Sequence, residues 1–277
     1  MADWRLIKKI DAHIHIIPDV VHEANPDAED EWVYADQTKY LELMEKYNIE
    51  QAIIMPLNDP YLMSMEFTVD AVNKNLKELV DKYPNKFYAM ADIDVSNNIE
   101  VSKTSLIKAI EEYNLNGLKI HPNNTGMNVD DEYNVALLEE FSKYGLPIFI
   151  HSYPNNKDDR SAAYKIKYLI NKFSNIKFII SHMGAYQYEE LLGTNCYVDI
   201  SAILPDFVNK LGIKETNQIL RKFGAERLIF ATDYPSSRYL APEEIYDRYF
   251  DILNQMDFND EEIKMIAYDN IKILLEK

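Results

Sequence analysis

The feature that most constrains this chain is an alternation. Short apolar runs rich in β-branched and aromatic residues recur along it, separated by longer amphipathic stretches. The runs are LIKKIDAHIHI near the N-terminus, QAIIMPL (51–57), KFYAMADIDV (86–95), LNGLKIHP (115–122), LPIFIHS (146–152), IKFIISHMG (176–184), CYVDIS (196–201) and RLIFATDYP (227–235). Their composition is that of strands. Between them, TKYLELMEKYNI places Tyr40, Leu43, Met44 and Tyr47 on one helical face. DEYNVALLEEFSKYG does the same with Val135, Leu138, Phe141 and Tyr144, with Gly145 as the expected C-cap. AYKIKYLINKF and TNQILRKFG repeat the pattern, and the tail after Pro242 reads as helical and as packing outside the strands. Most successive runs lie about 30 residues apart, the length of a strand–helix unit. Parallel neighbours need a crossover, so the alternation implies a parallel sheet. Eight such units predict an α/β fold, a (β/α)8 TIM barrel formed by one domain over 1–277.

Length fits that reading: 277 residues is ample for a core without disulfides. The formal net charge of −17 repels phosphate backbones and anionic lipid, so neither nucleic acid nor a membrane is an expected partner. No signal peptide and no spanning apolar stretch are expected. The single cysteine, Cys196, excludes an intrachain disulfide and fits a cytoplasmic setting. Neither GxGxxG, GxxxxGK[ST] nor GxSxG occurs.

The chemistry is carried by histidines. Six occur, and five stand near the C-terminal ends of predicted strands: His13 and His15 on the first, His121 on the fourth, His151 on the fifth, His182 on the sixth. Asp233 ends the eighth. Residues i and i+2 of a strand share a face, so His13 and His15 point the same way. In a parallel barrel the C-terminal ends converge where active sites form. Imidazole and carboxylate together are zinc's preferred ligands, and a catalytic site keeps one position open for water. His13, His15, His151 and Asp233 are therefore the expected metal ligands.

The motifs DAHIH, IFIHS, IISHMG and IFATDYP, in that order, resemble the amidohydrolase superfamily. They resemble more narrowly its amidohydrolase-related branch, which includes aminocarboxymuconate semialdehyde decarboxylase, other nonoxidative decarboxylases, pyrone dicarboxylate lactonases and oxalomesaconate hydratases. The resemblance runs from Asp11 to the AYDNIKILL tail. It implies a distorted barrel with a divalent metal, usually zinc, with manganese as the other candidate. It matches His13, His15 and His151 to the metal, Asp233 to a ligand that also exchanges a proton, and His182 to a catalytic group beside the metal.

Such a centre activates water at neutral pH. The leading expectation is hydrolysis of an amide, lactone or ester in a small carboxylated molecule; nonoxidative decarboxylation or hydration on the same metal is the alternative. Further readings are a TatD-type nuclease, disfavoured because GLKIHP lacks the strand-four glutamate of those relatives, and a non-catalytic binding barrel.

Lys119, two residues before His121, is expected to pair with a substrate carboxylate. The binuclear alternative makes it a carboxylated bridge to a second metal, and a plain salt bridge is the third reading. His121 either touches substrate or bonds a loop. Arg160 and Arg238 are candidate anion clamps, and Asp11 either holds a neighbouring group or is simply structural. Tyr61, Tyr153 and Met183 are candidate pocket residues. Residues 18–37, including His22, form either a lid or an acidic loop. Dimers are common among such barrels, so a homodimer is the expected assembly if the chain associates.

Overall fold

A computed structural model describes residues 3–17, 35–56, 68–93, 95, 98–235 and 240–276. Each of the eight apolar runs overlaps a strand: β1 (Lys9–Ile14), β2 (Ile49–Ile54, starting two residues before its run), β3 (Phe87–Ala89), β4 (Leu118–Ile120), β5 (Pro147–His151), β6 (Lys177–Ser181), β7 (Tyr197–Asp199) and β8 (Leu228–Ile229). Helices alternate with them: α1 (Gln37–Lys46), α2 (Val69–Lys82), α3 (Ile99–Glu111), α4 (Pro122–Thr125), α5 (Glu132–Phe141), α6 (Ala163–Lys172), α7 (Ile203–Leu211), α8 (Ile213–Phe223), α9 (Pro242–Leu253), α10 (Asp260–Lys264) and α11 (Asn270–Leu275). Short polar side chains start several of them. Asp36, Thr68, Asn98 and Asp131 each accept a hydrogen bond from a first-turn amide of α1, α2, α3 and α5. Among the described residues no helix is long and apolar enough to cross a membrane.

The α1 face is as expected, with Tyr40, Leu43 and Met44 buried. The α5 face is rotated. Asn134, Leu137, Leu138 and Phe141 are buried, while Val135 and Tyr144 are half-exposed. The buried Asn134 displaces Val135 because its amide donates to the Asn128 carbonyl, a bond that apolar periodicity does not register. The helix also ends earlier, with Ser142 at its C-cap; Gly145 (φ 64°) instead makes the left-handed turn into β5.

The chain divides into two compact units, 1–54 with 199–273 and 55–198 with 274–277. In the first, β1 pairs in parallel with β2, with Lys9 opposite Ile49 and Ile14 opposite Ile54. The other edge of β1 bonds the strand-eight segment: Ala12 N to Phe230 O (3.1 Å), Asp233 N to His13 O (2.8 Å) and His15 N to Tyr234 O (2.7 Å). Ile200 N bonds Ile229 O in turn. Trp4, Tyr246, Tyr249 and Phe250 fill the aromatic side of this core.

In the second unit β4, β5, β6 and β7 follow one another in parallel register, Leu118 opposite Ile148, Ile150 opposite Ile180, Ile180 opposite Val198. Ala91, just past β3, extends the series through Ala91 N to Gly117 O (2.8 Å) and Lys119 N to Ala91 O (2.9 Å). Gly117 permits the close approach of β4 to β5, because a Cβ there would press on the Pro147 carbonyl oxygen and lie 2.7 Å from Met90 Sδ.

Candidate metal centre

Alternation along β1 puts His13 and His15 on one side, and the strand-eight segment brings Asp233 to them. His13 Nε2 lies 3.0 Å and His15 Nε2 3.5 Å from Asp233 Oδ1. One ligand atom from each of the three lies within 4.8 Å of the others. His13 is 1% exposed, and its far nitrogen Nδ1 lies 3.2 Å from both Asp199 Oδ2 and Ser201 Oγ. Each ring nitrogen thus faces a carboxylate, Nδ1 that of Asp199 and Nε2 that of Asp233. A carboxylate only accepts, so a proton or a cation stands between each nitrogen and its partner. Two imidazole nitrogens and a carboxylate oxygen so converged suit a first-row divalent ion, and the Asp199 carboxylate behind His13 is the outer support that metal-binding histidines usually have.

Asp199 is held in turn, its Oδ1 accepting from Ser201 N (3.1 Å) and from Ser201 Oγ. Neither residue stands out in CYVDIS by composition. Their spacing is a usable signal, since an acid and a hydroxyl two apart at a strand end share a face.

Asp233 has φ of 66°, a left-handed conformation rare for a residue with a Cβ. Such geometry costs on the order of 1–3 kcal/mol and persists where its surroundings over-determine it. Asp11 lies deeper, fully buried, and burial pushes its carboxyl up to about 6 in spite of hydrogen bonds from Thr232, Tyr246 and the His13 amide. Its two oxygens accept from the His13 and Thr232 amides and from the Thr232 and Tyr246 hydroxyls.

The other described histidines, His121, His151 and His182, form a second cluster, within the other unit. His151, the last residue of β5, presents Nδ1 to His182 Nε2 at 3.1 Å, so one ring donates and the other accepts. The His121 ring stacks on His151, centroids 3.8 Å apart. Its Nδ1 accepts from Asn124 N (3.2 Å), so it caps α4 and does bond a loop. Tyr153 meets His182 edge-on at 5.8 Å. Lys119 is 3% exposed and donates to Ser181 Oγ at 3.3 Å. His182, Met183, Gly184 and Ala185 all have positive φ (61°, 56°, 70°, 46°), a strained turn directly after β6. Met183 is fully buried and Cys196 is core. Arg160 is exposed. Arg238, His22, Tyr61 and residues 18–34 lie outside the described residues.

A sequence model of the family described as Amidohydrolase matches residues 10–276. The chain belongs to the amidohydrolase family. It is 28% identical over 99 residues to 2-amino-3-carboxymuconate-6-semialdehyde decarboxylase of Dictyostelium discoideum. That match spans 36% of this chain and 27% of the relative. Among solved structures it is similar to a dihydroxybenzoic acid decarboxylase of a Polaromonas species with bound manganese and the inhibitor 2-nitroresorcinol. The TM-score is 0.71 at 16% identity, over 98% of this chain and 97% of that one. A TIM-barrel protein of Bordetella bronchiseptica gives 0.75 at 18% identity, over 97% and 98%. The fold is thus the α/β TIM barrel expected from the alternation.

Proposed function

We propose that this amidohydrolase-family enzyme is a divalent-metal-dependent lyase that removes carbon dioxide from a small carboxylated molecule. The observation that carries the reading is the convergence of His13 Nε2, His15 Nε2 and Asp233 Oδ1 in a chain of this family. The reaction class is supported by two relatives named as decarboxylases. This moves decarboxylation ahead of hydrolysis, the leading expectation from sequence. Zinc and manganese both fit the donor set, imidazole suiting the first and carboxylate the second. Bound there, the ion would supply Lewis acidity and acidify a water molecule.

The chain's own residues do the rest. Asp199 and Ser201 hold the His13 ring so that Nε2 faces the centre. Breaking the bond to the carboxylate carbon leaves an electron pair on the substrate, which a proton must take up. Asp233, placed against both imidazoles, is the acid that delivers it. Within the other unit His182 and His151 share a proton; His182 is the group expected from sequence to act on substrate, and Lys119, bonded to Ser181 Oγ, the one expected to pair with a substrate carboxylate.

Hydrolysis is the second reading, favoured by the family's own description. It uses Asp233 in the opposite sense, as the base that takes a proton from attacking water. The deciding experiment gives the Mn2+- or Zn2+-loaded protein a set of dihydroxybenzoates and carboxymuconate-type acids beside aryl lactones and esters, with and without chelator. Chelator-sensitive release of carbon dioxide is expected. Turnover of lactones or esters with no carbon dioxide from any acid would overturn the lyase reading.

A further inference from the structure

Thr232 immediately precedes Asp233 and is 1% exposed. Each of its polar groups is engaged. Its N donates to Asp11 Oδ1 at 3.1 Å and its Oγ1 to Asp11 Oδ2 at 2.7 Å. Its carbonyl accepts from Tyr249 Oη at 3.2 Å, and its Oγ1 accepts from Tyr234 N at 3.3 Å. Asp11 Oδ2 also accepts from Tyr246 Oη at 2.7 Å, and that hydroxyl meets Tyr40 Oη at 3.0 Å. Asp11 Oδ1 accepts from His13 N at 3.3 Å. Asp11, Tyr40, Tyr246 and Tyr249 are all buried.

This is far more than strand pairing requires. β8 ends at Ile229, and from Phe230 to Tyr234 the chain keeps only separate bonds to β1, at Phe230 O, Asp233 N and Tyr234 O. Asp233 then adopts φ of 66°. A backbone of this kind relaxes unless its neighbours forbid it, and relaxation would swing the carboxylate away from His13 Nε2 and His15 Nε2. The residue held at every polar atom is the one just before the strained position.

We infer that Asp11, Tyr246 and Tyr249 clamp Thr232 and thereby hold Asp233 in the left-handed conformation that aims its carboxylate at the two β1 imidazoles. These three are positioning residues: they act through Thr232. The helix α9, expected from sequence to pack only on the outside, contributes two of them and so belongs to the site. The inference rests on the metal-centre reading above.

The test measures Mn2+ affinity of the full-length chain by competition with a fluorescent chelator, alongside the thermal unfolding midpoint. Tyr249→Phe and Tyr246→Phe each remove a single hydroxyl. Thr232→Val removes the clamped hydroxyl and Thr232→Ser restores it. Tyr144→Phe, which loses a surface bond to Glu111 in the other unit, is the control. Affinity is expected to fall about 10- to 100-fold in Tyr249→Phe, Tyr246→Phe and Thr232→Val. It should stay near the unaltered chain's in Thr232→Ser and in the control. Lower midpoints with unchanged affinity would make the bonds merely structural and overturn the clamp alone. An unaltered chain that binds neither Mn2+ nor Zn2+ would overturn the metal centre, and the clamp's purpose with it. If Tyr246→Phe fails to fold, Tyr249→Phe and the Thr232 pair still decide the matter.

Discussion

Lys9 opens β1 with its side chain fully buried. Its Nζ donates to the Tyr47 carbonyl and sits 5.0 Å from the centre of the Phe250 ring. Burial pulls its pKa down from 10.5 to about 7, while Asp11 and Asp3 pull weakly the other way. The unfolded chain therefore holds more protons than the folded one between pH 7 and 10.5. Stability from this residue is fully present above the upper limit and is lost as pH falls to the lower. At 1.36 kcal/mol per unit the swing is on the order of 5 kcal/mol. Lys9→Met keeps an unbranched stem and removes the titration. It forfeits a hydrogen bond worth about 1 kcal/mol and a cation–π contact worth about 0.5–2 kcal/mol. The desolvation cost outweighs those losses near pH 7, so the variant is expected to be the more stable by about 2–3 kcal/mol there. The assay is urea unfolding of both proteins at half-unit steps from pH 6 to 9.5. The advantage of Lys9→Met should shrink above pH 7 with a slope approaching about 1.4 kcal/mol per unit. Comparing the two proteins cancels the other groups that titrate in this range. Parallel stability curves would refute the reasoning, because they would mean Lys9 keeps its proton in the folded state.

Gly117→Ala would drive a Cβ against the Pro147 backbone oxygen, which cannot yield as a flexible side chain would, and is expected to cost about 2–3 kcal/mol in urea unfolding. Asp199→Ala removes the carboxylate that faces His13 Nδ1, and Mn2+ affinity measured by chelator competition should fall about 10- to 100-fold. His182→Asn removes the ring that bonds His151 Nδ1 and is expected to lower kcat about 100-fold or more in carbon dioxide release, with Mn2+ affinity nearly unchanged.

The strands were legible because β-branched runs at regular spacing are a local property, and each of the eight runs overlaps one. The α5 face was not, because Asn134 is buried by a hydrogen bond to the Asn128 carbonyl that apolar periodicity does not register. Of the four ligands expected from rare residue types at strand ends, the first unit brings His13, His15 and Asp233 together, while His151 lies in the other unit, bonded to His182. Asp199, Ser201, Thr232, Tyr246 and Tyr249 were passed over. Each is an ordinary residue whose role comes from one partner far away in sequence, 186 positions in the case of His13 and Asp199.

What the sequence determined by itself is the alternation and the side on which each strand presents its residues, because period and composition act over a few neighbours. It thereby nominated the chemistry as well, since imidazoles and a carboxylate at converging strand ends are a donor set that suits a divalent metal. Only the tertiary structure decided the backbone angle at Asp233, the pairing of His13 Nδ1 with Asp199, and the burial of Lys9 and Asp11. Those depend on which distant groups share a volume from which water is excluded, and there a single hydrogen bond or charge outweighs local preference.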